Sequence, residues 1–277
     1  MSEVTGLIAI HVRPGHPDFL DLPWSPPFAE WRAHCSRLVE VQRGLSRHEV
    51  LFCSYDAGVY ALKELPEDLA EREYDALREL EERNLPAVSA VGHARARTTA
   101  GDLTSVLVTR YLEFSVPYRT LFMQAGLERY RERLLDAMAS LLVRLHLAGV
   151  YWGDCSLSNT LFRRDAGELQ AYLVDAETAE IHDQLSSGQR AQDLEITDEN
   201  VSGDVADLSA DLGSPPSPTL AEIGTHIRER YQRLWEEITR EEILAKSESY
   251  RIHERIRALN DLGFSVGEIE LIATGHG

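Results

Sequence analysis

The alternation of apolar and polar positions divides the chain into a strand-rich first part and a helix-rich second part. Three segments, at 38–42, 49–55 and 59–65, alternate or run apolar over strand lengths and are separated by short turn signals. This pattern predicts a three-stranded antiparallel meander. Two further strands are predicted at 87–95 and 105–113.

Helical periodicity dominates the rest of the chain. The segment PEDLAEREYDALRELEERNLP opens with Pro66 and ends before Pro86, which predicts a helix of about four turns between the two groups of strands. A longer amphipathic helix is predicted at 127–149, then a polar loop, a short strand at 171–177 and two C-terminal helices. This order predicts an α+β protein with two lobes, a β-rich N-terminal lobe and an α-rich C-terminal lobe, with a ligand cleft between them.

Three regions follow from the same patterns. We predict an irregular, proline-rich N-terminal arm over 1–37, an N-lobe of sheet plus one helix over 38–113, and a helical C-lobe over 114–277. Within the C-lobe the stretch 191–217 is acidic and ends in GSPPSP, which predicts an exposed loop.

Composition excludes several classes of protein. The chain has 277 residues, is 43% hydrophobic and carries a net charge of −18, so its field repels nucleic acids and other polyanions. No apolar run approaches the roughly 20 residues of a membrane span. We expect no export signal, because the apolar run at 6–10 lacks a basic segment before it and a small-residue cleavage site. The three cysteines have no close pairing, which argues against a disulfide framework or zinc site and predicts a cytoplasmic location.

Lysine is rare in this sequence. Only Lys63 and Lys246 are lysines among 28 basic residues. Lys63 lies in the predicted strand VYALKEL, where an inward-facing ammonium group needs a partner. Glu73 is preferred to Glu71 as that partner, because it shares a helix face with two leucines. Taken alone, the two residues are more simply a strand-edge lysine that reaches solvent and an ordinary helix-surface glutamate.

The loop in VYWGDCSLSNTLF carries the next candidates. Asp154 and Asn159 lie between apolar flanks, and Asp175 follows a short apolar strand. These three side chains have the chemistry of one general base and two oxygen ligands for Mg²⁺. Each residue alone is more simply a turn former, but their joint order after a strand lysine and a helix glutamate favours chemistry. On the helix before the loop, His146 is predicted to be a buried packing histidine.

This order of parts resembles the protein-kinase-like superfamily over roughly residues 38–180. The resemblance implies that Lys63 contacts the α- and β-phosphates of ATP and that Glu73 holds this lysine. It also implies that Asp154 is the base for the acceptor hydroxyl, and that Asn159 and Asp175 hold Mg²⁺.

The glycine-rich loop of that superfamily is reduced here to RGLSRH. Gly44 is its only glycine, so Arg47 and its polar neighbours would contact the phosphates in place of glycine amides.

The catalytic loop also departs from the superfamily. Trp152 and Gly153 replace the usual His-Arg before the aspartate, and Ser156 stands where protein kinases carry a lysine. The sequence Asp175-Ala176-Glu177 replaces Asp-Phe-Gly, and no APE-like segment follows. These departures argue against a peptide acceptor.

More narrowly, YALKELPEDLAEREYDALREL, WGDCSLSNTLFRRDAG, AYLVDAETAE and RYQRLWEEITREEIL resemble bacterial proteins of the domain of unknown function 4032 family, from RPGHPDFLDLPW through RIRALNDLGF. That family is similar to the lipopolysaccharide Kdo and heptose kinases. The resemblance implies that members of the family continue further at the C-terminus than this sequence does.

The sequence therefore predicts an ATP- and Mg²⁺-dependent phosphotransferase acting on a small-molecule or sugar hydroxyl. Two alternatives stay open: a nucleotide-binding pseudokinase without transfer, and a scaffold whose C-terminal helices recruit a protein partner.

Overall fold

The structure, a computed structural model, describes residues 6–41, 48–66, 68–123, 129–165, 167–211, 222–241, 248 and 250–261. The chain forms two compact units, Met1–Tyr231 and Gln232–Gly277. The predicted arm, N-lobe and most of the C-lobe lie in the first unit, and their boundaries stay a prediction.

An antiparallel five-stranded sheet with one long helix forms the first part of the chain. A single 3-10 turn at Phe28–Glu30 precedes α1, and the elements in chain order are β1 (Leu7–Val12), α1 (Trp31–His34), β2 (Val50–Tyr55), β3 (Gly58–Leu65), α2 (Leu69–Glu82), β4 (Ala90–Arg97) and β5 (Leu103–Arg110). The strand order is β1-β4-β5-β3-β2. β2 pairs with β3 in a continuous register from Val50↔Lys63 to Tyr55↔Gly58.

The two faces of this sheet have different neighbours, because successive side chains in a strand point to opposite sides. On β3, Tyr60 and Leu62 join an apolar core, whereas Ala61 and Lys63 line a cleft on the other face. The predicted helix after β3 is confirmed as α2, whose buried residues include Glu73 and Leu77. Alternation along one strand thus separates the lysine from the core.

The N-terminal arm was predicted to be irregular, and part of that prediction is wrong. β1 lies inside the arm and adds an edge strand next to β4, with Ile10 paired to Ala94. After β1 the arm buries Phe19, Trp24 and Trp31 against the apolar face of the sheet. A sheet face of this size needs a cover, and these aromatic side chains supply it.

The first strand predicted for the meander, 38–42, is reduced to an isolated bridge. Leu38 pairs with Cys53, and the N–H of Val39 donates to the carbonyl of Phe52 at 2.9 Å. Residues 42–47, which include Gly44 and Arg47, lie outside the described residues. The prediction that these two residues contact phosphates therefore stays a prediction.

The second part of the chain is mainly helical. Its elements are β6 (Ser115–Pro117), α3 (Tyr118–Met123), α4 (Arg129–Leu147), β7 (Val150–Tyr151), β8 (Thr160–Asp165), β9 (Glu168–Leu173), β10 (Glu180–Ile181), α5 (Ser187–Asp211), α6 (Ile223–Thr239) and α7 (Tyr250–Asp261). The short strands form a sheet of order β6-β8-β9 and a β7-β10 pair. α4 packs against β9. The predicted α+β class is confirmed.

The acidic stretch predicted as a loop at 191–217 is a helix as far as Asp211. It forms α5, and residues 212–217 lie outside the described part. The buried residues of α5 recur at helical spacing and are Asp193, Leu194, Thr197, Val201, Val205, Leu208 and Ser209. Three of these seven residues are polar, so the apolar stripe that marks a helix was interrupted in the sequence.

Among the helices that the structure describes, none combines the length and the apolar character needed to cross a membrane.

Candidate active site

Lys63 and Glu73 form a buried ion pair on the cleft face of the sheet. The Nζ atom of Lys63 lies 2.9 Å from Oε2 and 3.2 Å from Oε1 of Glu73, whose side chain is 0% exposed. Burial raises the pKa of Glu73, the charge of Asp175 adds to this, and Lys63 opposes it. The N–H of Ala176 donates to Oε1 of Glu73 at 3.2 Å. The pair is therefore tied to the segment that carries Asp175.

Lys63 has a second carboxylate partner. Its Nζ lies 2.7 Å from Oδ2 of Asp175 and 3.9 Å from Oε2 of Glu177. Burial on its own would lower the pKa of Lys63, but the charges of Glu73 and Asp175 and their hydrogen bonds raise it overall. Carboxylate oxygens of Glu73, Asp175 and Glu177 lie within 4.8 Å of one another. The ammonium group of Lys63 offsets the repulsion among them.

The loop between β7 and β8 presents Asp154 and Asn159. The Nδ2 group of Asn159 donates to the main-chain carbonyl and to Oδ2 of Asp154, both at 3.0 Å. From α5, Nδ2 of Asn200 donates to Oδ1 of Asp154 at 2.9 Å. The N–H of Val174 donates to the carbonyl of Asn159 at 3.1 Å, which links the loop to the residue before Asp175.

A buried polar network holds the start of this loop. The carboxylate of Asp193 accepts the main-chain N–H groups of Trp152 at 2.8 Å and Gly153 at 2.9 Å. His146, as predicted, is buried and hydrogen-bonded: Nε2 lies 3.1 Å from Oδ2 of Asp193, and Nδ1 lies 2.8 Å from the hydroxyl of Tyr231. Since both side chains of the His146–Asp193 pair are 0% exposed, these contacts fix the loop to the helical core.

The end of the loop is held by serine and aspartate contacts. Asp204 accepts the main-chain N–H of Ser158 at 3.0 Å. The hydroxyl of Ser156 accepts the N–H of Asn159 at 3.0 Å and lies 3.1 Å from the hydroxyl of Ser158. Ser156 therefore shapes the turn that precedes Asn159.

Several of these groups line one cleft. Lys63, Asn159 and Asp175 line it together with apolar side chains, which are Val50, Phe52, Ala61, Val88, Leu161 and Val174. The last two residues of β5, Thr109 and Arg110, and the two residues that follow them also line the cleft. A cleft lined by apolar side chains with a few converging polar groups suits a small ligand.

Comparison with known proteins agrees with this geometry. The family described as "Lipopolysaccharide kinase (Kdo/WaaP) family" matches residues 57–201, slightly more than half of the chain. The chain belongs to the lipopolysaccharide kinase (Kdo/WaaP) family. The matched range includes Lys63, Glu73, Asp154, Asn159 and Asp175, and the predicted kinase-like recognition is confirmed.

Two further similarities were found. A second family, described as "Domain of unknown function (DUF4032)", matches residues 233–277. A solved structure entitled "WaaP in complex with acyl carrier protein" is 20% identical, with a TM-score of 0.49, and the match covers 92% of this chain and 99% of that one. No curated protein matches the sequence.

The residues present in this kinase-family chain fit a bound Mg²⁺. Asn159 offers an amide oxygen and Asp175 a carboxylate, both lining the cleft, and Mg²⁺ prefers oxygen ligands. The amide N–H₂ group of Asn159 donates to Asp154, so Oδ1 is the atom of this side chain that would bind a metal. Glu177 adds a third oxygen donor close to Asp175.

In this kinase-family site, five residues named from the sequence come together, and several others were missed. Glu73 and Asp175 both contact Lys63, and Asn159 contacts Asp154. The missed residues are Asp193, Asn200 and Asp204, which all lie in the stretch predicted as a loop. The sequence held one weak signal, for Asn200 alone, which is one of only four asparagines in the chain.

Proposed function

We propose that this protein is an ATP- and Mg²⁺-dependent phosphotransferase that phosphorylates a hydroxyl group of a small molecule or sugar. One observation carries the proposal: the ion pair of Lys63 with Glu73 and Asp175 shares a single cleft with the Asn159 that contacts Asp154. Family membership supports the kinase part of the proposal.

The nucleotide would lie with its base in the apolar part of the cleft and its phosphates toward Lys63. Val50, Ala61 and Leu161 line the apolar part. Lys63, whose ammonium is already oriented by Glu73, would contact the phosphates as a compact positive charge. Asn159 and Asp175 would hold Mg²⁺, which when bound neutralises phosphate charge.

The transfer step assigns Asp154 the role of proton acceptor. The acceptor hydroxyl gives its proton to the Asp154 carboxylate as its oxygen forms a bond to the γ-phosphorus. The bond from that phosphorus to the β,γ-bridging oxygen breaks, and ADP leaves with that electron pair. The amide group of Asn159 orients the carboxylate for this step.

A small acceptor is favoured by the chain that follows the cleft. Only residues 178–186, which include β10, separate Glu177 from the first residue of α5. A segment this short leaves little chain to form a platform for a peptide. We place the activity in the cytoplasm, since the three cysteines are free thiols.

A second candidate is a nucleotide-binding regulatory protein without transfer. The observation that favours it is Ser156, which provides a hydroxyl where protein kinases place a lysine beside the γ-phosphate. In this alternative the C-terminal helices would recruit a protein partner.

Thermal unfolding and ADP release together test both candidates. Mg²⁺-ATP at about 100 times its Kd stabilises a protein by about 2.7 kcal/mol, a rise in Tm of several degrees. We expect this rise for the wild type and for Asp154→Asn, and its loss in Lys63→Ala.

ADP release, measured with small-molecule fractions of a bacterial extract as acceptors, separates the alternatives. The phosphotransferase predicts release by the wild type and a loss of about 100-fold or more in Asp154→Asn. A Tm rise without ADP release would favour the regulatory protein. If Mg²⁺-ATP leaves the wild-type Tm unchanged, both candidates fail.

A further inference from the structure

The carboxylate of Asp154 accepts hydrogen bonds from two asparagine side chains that come from different parts of the chain. Asn159 belongs to the same loop, whereas Asn200 lies on α5. The whole sequence contains only four asparagines, the other two being Asn84 and Asn260. Half of the asparagines in the sequence therefore donate a hydrogen bond to the same carboxylate.

The two amides engage different oxygens of that carboxylate. Asn200 donates to Oδ1 at 2.9 Å, and Asn159 donates to Oδ2 at 3.0 Å. Rotation of the carboxylate about its χ2 torsion would lengthen both hydrogen bonds at once. Asn200 also approaches the main-chain carbonyl of Cys155 at 3.3 Å, so it restrains the backbone beside Asp154 as well as the side chain.

The helix that carries Asn200 is held against the loop, because residues of α5 contact the loop at three points. Asp193 binds the N–H groups of Trp152 and Gly153, and Asp204 binds the N–H of Ser158. Residues 193, 200 and 204 lie seven and four positions apart, which places them on the same face of a helix. The helix therefore fixes the loop before, at and after Asp154.

We propose that Asn200 is a positioning residue for phosphoryl transfer, one that holds the carboxylate of Asp154 in its proton-accepting orientation. This inference rests on the proposed function. Asn200 acts through Asp154, since its amide donates to that carboxylate and to a neighbouring carbonyl. Hydrogen bonds from neutral amides restrain the carboxylate without placing a competing cation beside it.

Substitutions at residue 200 separate positioning from packing. Asn200→Asp has nearly the same shape but replaces the N–H donor with an oxygen, which would repel the Asp154 carboxylate. Asn200→Ala removes the group altogether. Gln192→Ala, an exposed amide on the same helix, is the matched control.

Kinetics of Mg²⁺-ATP hydrolysis, with water as the acceptor, give the first readout. We expect kcat to fall about 10- to 100-fold in Asn200→Ala and further in Asn200→Asp. The Kd for Mg²⁺-ATP and the Tm should stay close to wild type, and Gln192→Ala should keep wild-type kcat. An unchanged kcat in Asn200→Ala overturns the inference. A parallel loss of nucleotide affinity and Tm also overturns it, because that result marks a structural role.

Selective ¹⁵N labelling of asparagine gives a readout that does not depend on turnover. In the full-length protein, Asp154→Ala should shift the side-chain amide signals of Asn159 and Asn200 and leave those of Asn84 and Asn260 in place. An unshifted Asn200 signal overturns the inference. If the shift occurs but the wild type neither binds nor hydrolyses ATP, the proposed function fails and Asn200 has no transfer step to support.

Discussion

Both carboxylate oxygens of Glu73 lie within 3.2 Å of the Nζ atom of Lys63, in a pair whose glutamate side chain is fully buried. Removing one member of such a pair leaves an uncompensated buried charge. We therefore expect Lys63→Ala to lower the free energy of unfolding by about 3 kcal/mol. Urea denaturation at pH 7 measures the loss.

Glu73→Gln should be milder, at about 1 kcal/mol, because Lys63 keeps Asp175 at 2.7 Å and the glutamine oxygen still accepts the N–H of Ala176. Arg78→Ala, which breaks an exposed i,i+4 pair with Glu82, is the control and should cost less than about 0.5 kcal/mol. A larger loss of unfolding free energy in Glu73→Gln than in Lys63→Ala would contradict the described contacts of the ion pair.

Two glycines should respond to alanine in opposite directions. Gly149 has a φ of +78°, and a Cβ there would lie 2.1 Å from the carbonyl oxygen of His182. We expect Gly149→Ala to destabilise the protein by more than about 2 kcal/mol. Gly203 lies within α5, and a Cβ there would meet nothing within 4 Å. Gly203→Ala should therefore stabilise by about 0.5–1 kcal/mol.

Thermal unfolding of both glycine variants provides the measurement. A destabilising Gly203→Ala would argue against helical structure at this position in α5. Gly203→Ala therefore also tests whether the acidic stretch is a helix and not the predicted loop.

Asp204 should make stability fall as pH rises. Burial raises its pKa above the ordinary 3.8, although hydrogen bonds from Ser158 partly oppose this. The folded protein therefore binds this proton more readily than the unfolded chain does. The stabilising contribution is complete below 3.8 and is lost as pH rises through the folded-state pKa.

Asp204→Asn removes this titration while its oxygen can still accept the N–H of Ser158. The difference in unfolding free energy, variant minus wild type, should increase between about pH 4 and pH 7. Urea denaturation at several pH values checks it. A flat difference would mean that burial does not raise this pKa.

The three thiols should differ in reactivity. Burial raises the pKa of Cys53 to about 12 and that of Cys155 well above its usual range, whereas Cys35 is partly exposed. At pH 8 roughly one Cys53 in ten thousand is a thiolate, which is the reactive form. Iodoacetamide should therefore label Cys35 first in the native protein and all three thiols in guanidinium. Mass spectrometry would locate the label, and rapid native labelling of Cys53 would contradict the prediction.

Much of the site was predictable because it contains residues that are rare in this chain or that are polar in an apolar segment. A lysine in an apolar strand needs a partner, and helix periodicity selected Glu73 over Glu71 as that partner. Strand alternation also predicted the sheet around Lys63. These inferences use periods of two and 3.6 residues, which local sequence expresses directly.

The sequence did not predict the role of α5. Its inward face mixes Asp193 and Thr197 with aliphatic residues, so the periodic signal was weak and the acids suggested a loop. Asp193 is inward because it accepts the main-chain N–H groups of Trp152 and Gly153, about 40 residues earlier in the chain. The hydroxyl of Thr197 donates to the carbonyl of Asp193 within the helix. β1 was missed for a similar reason, since it forms only by pairing with the distant β4.

The sequence by itself determined the α+β order of elements, because local periodicity is expressed along the chain, and it predicted Lys63, Glu73, Asp154, Asn159 and Asp175 as site residues from their chemistry and order. Only the tertiary structure decided that Lys63 bridges Glu73 and Asp175, and that Asn200 reaches Asp154. Those contacts join residues that are distant in sequence, and the partner of a buried polar group is fixed by packing rather than by neighbouring residues.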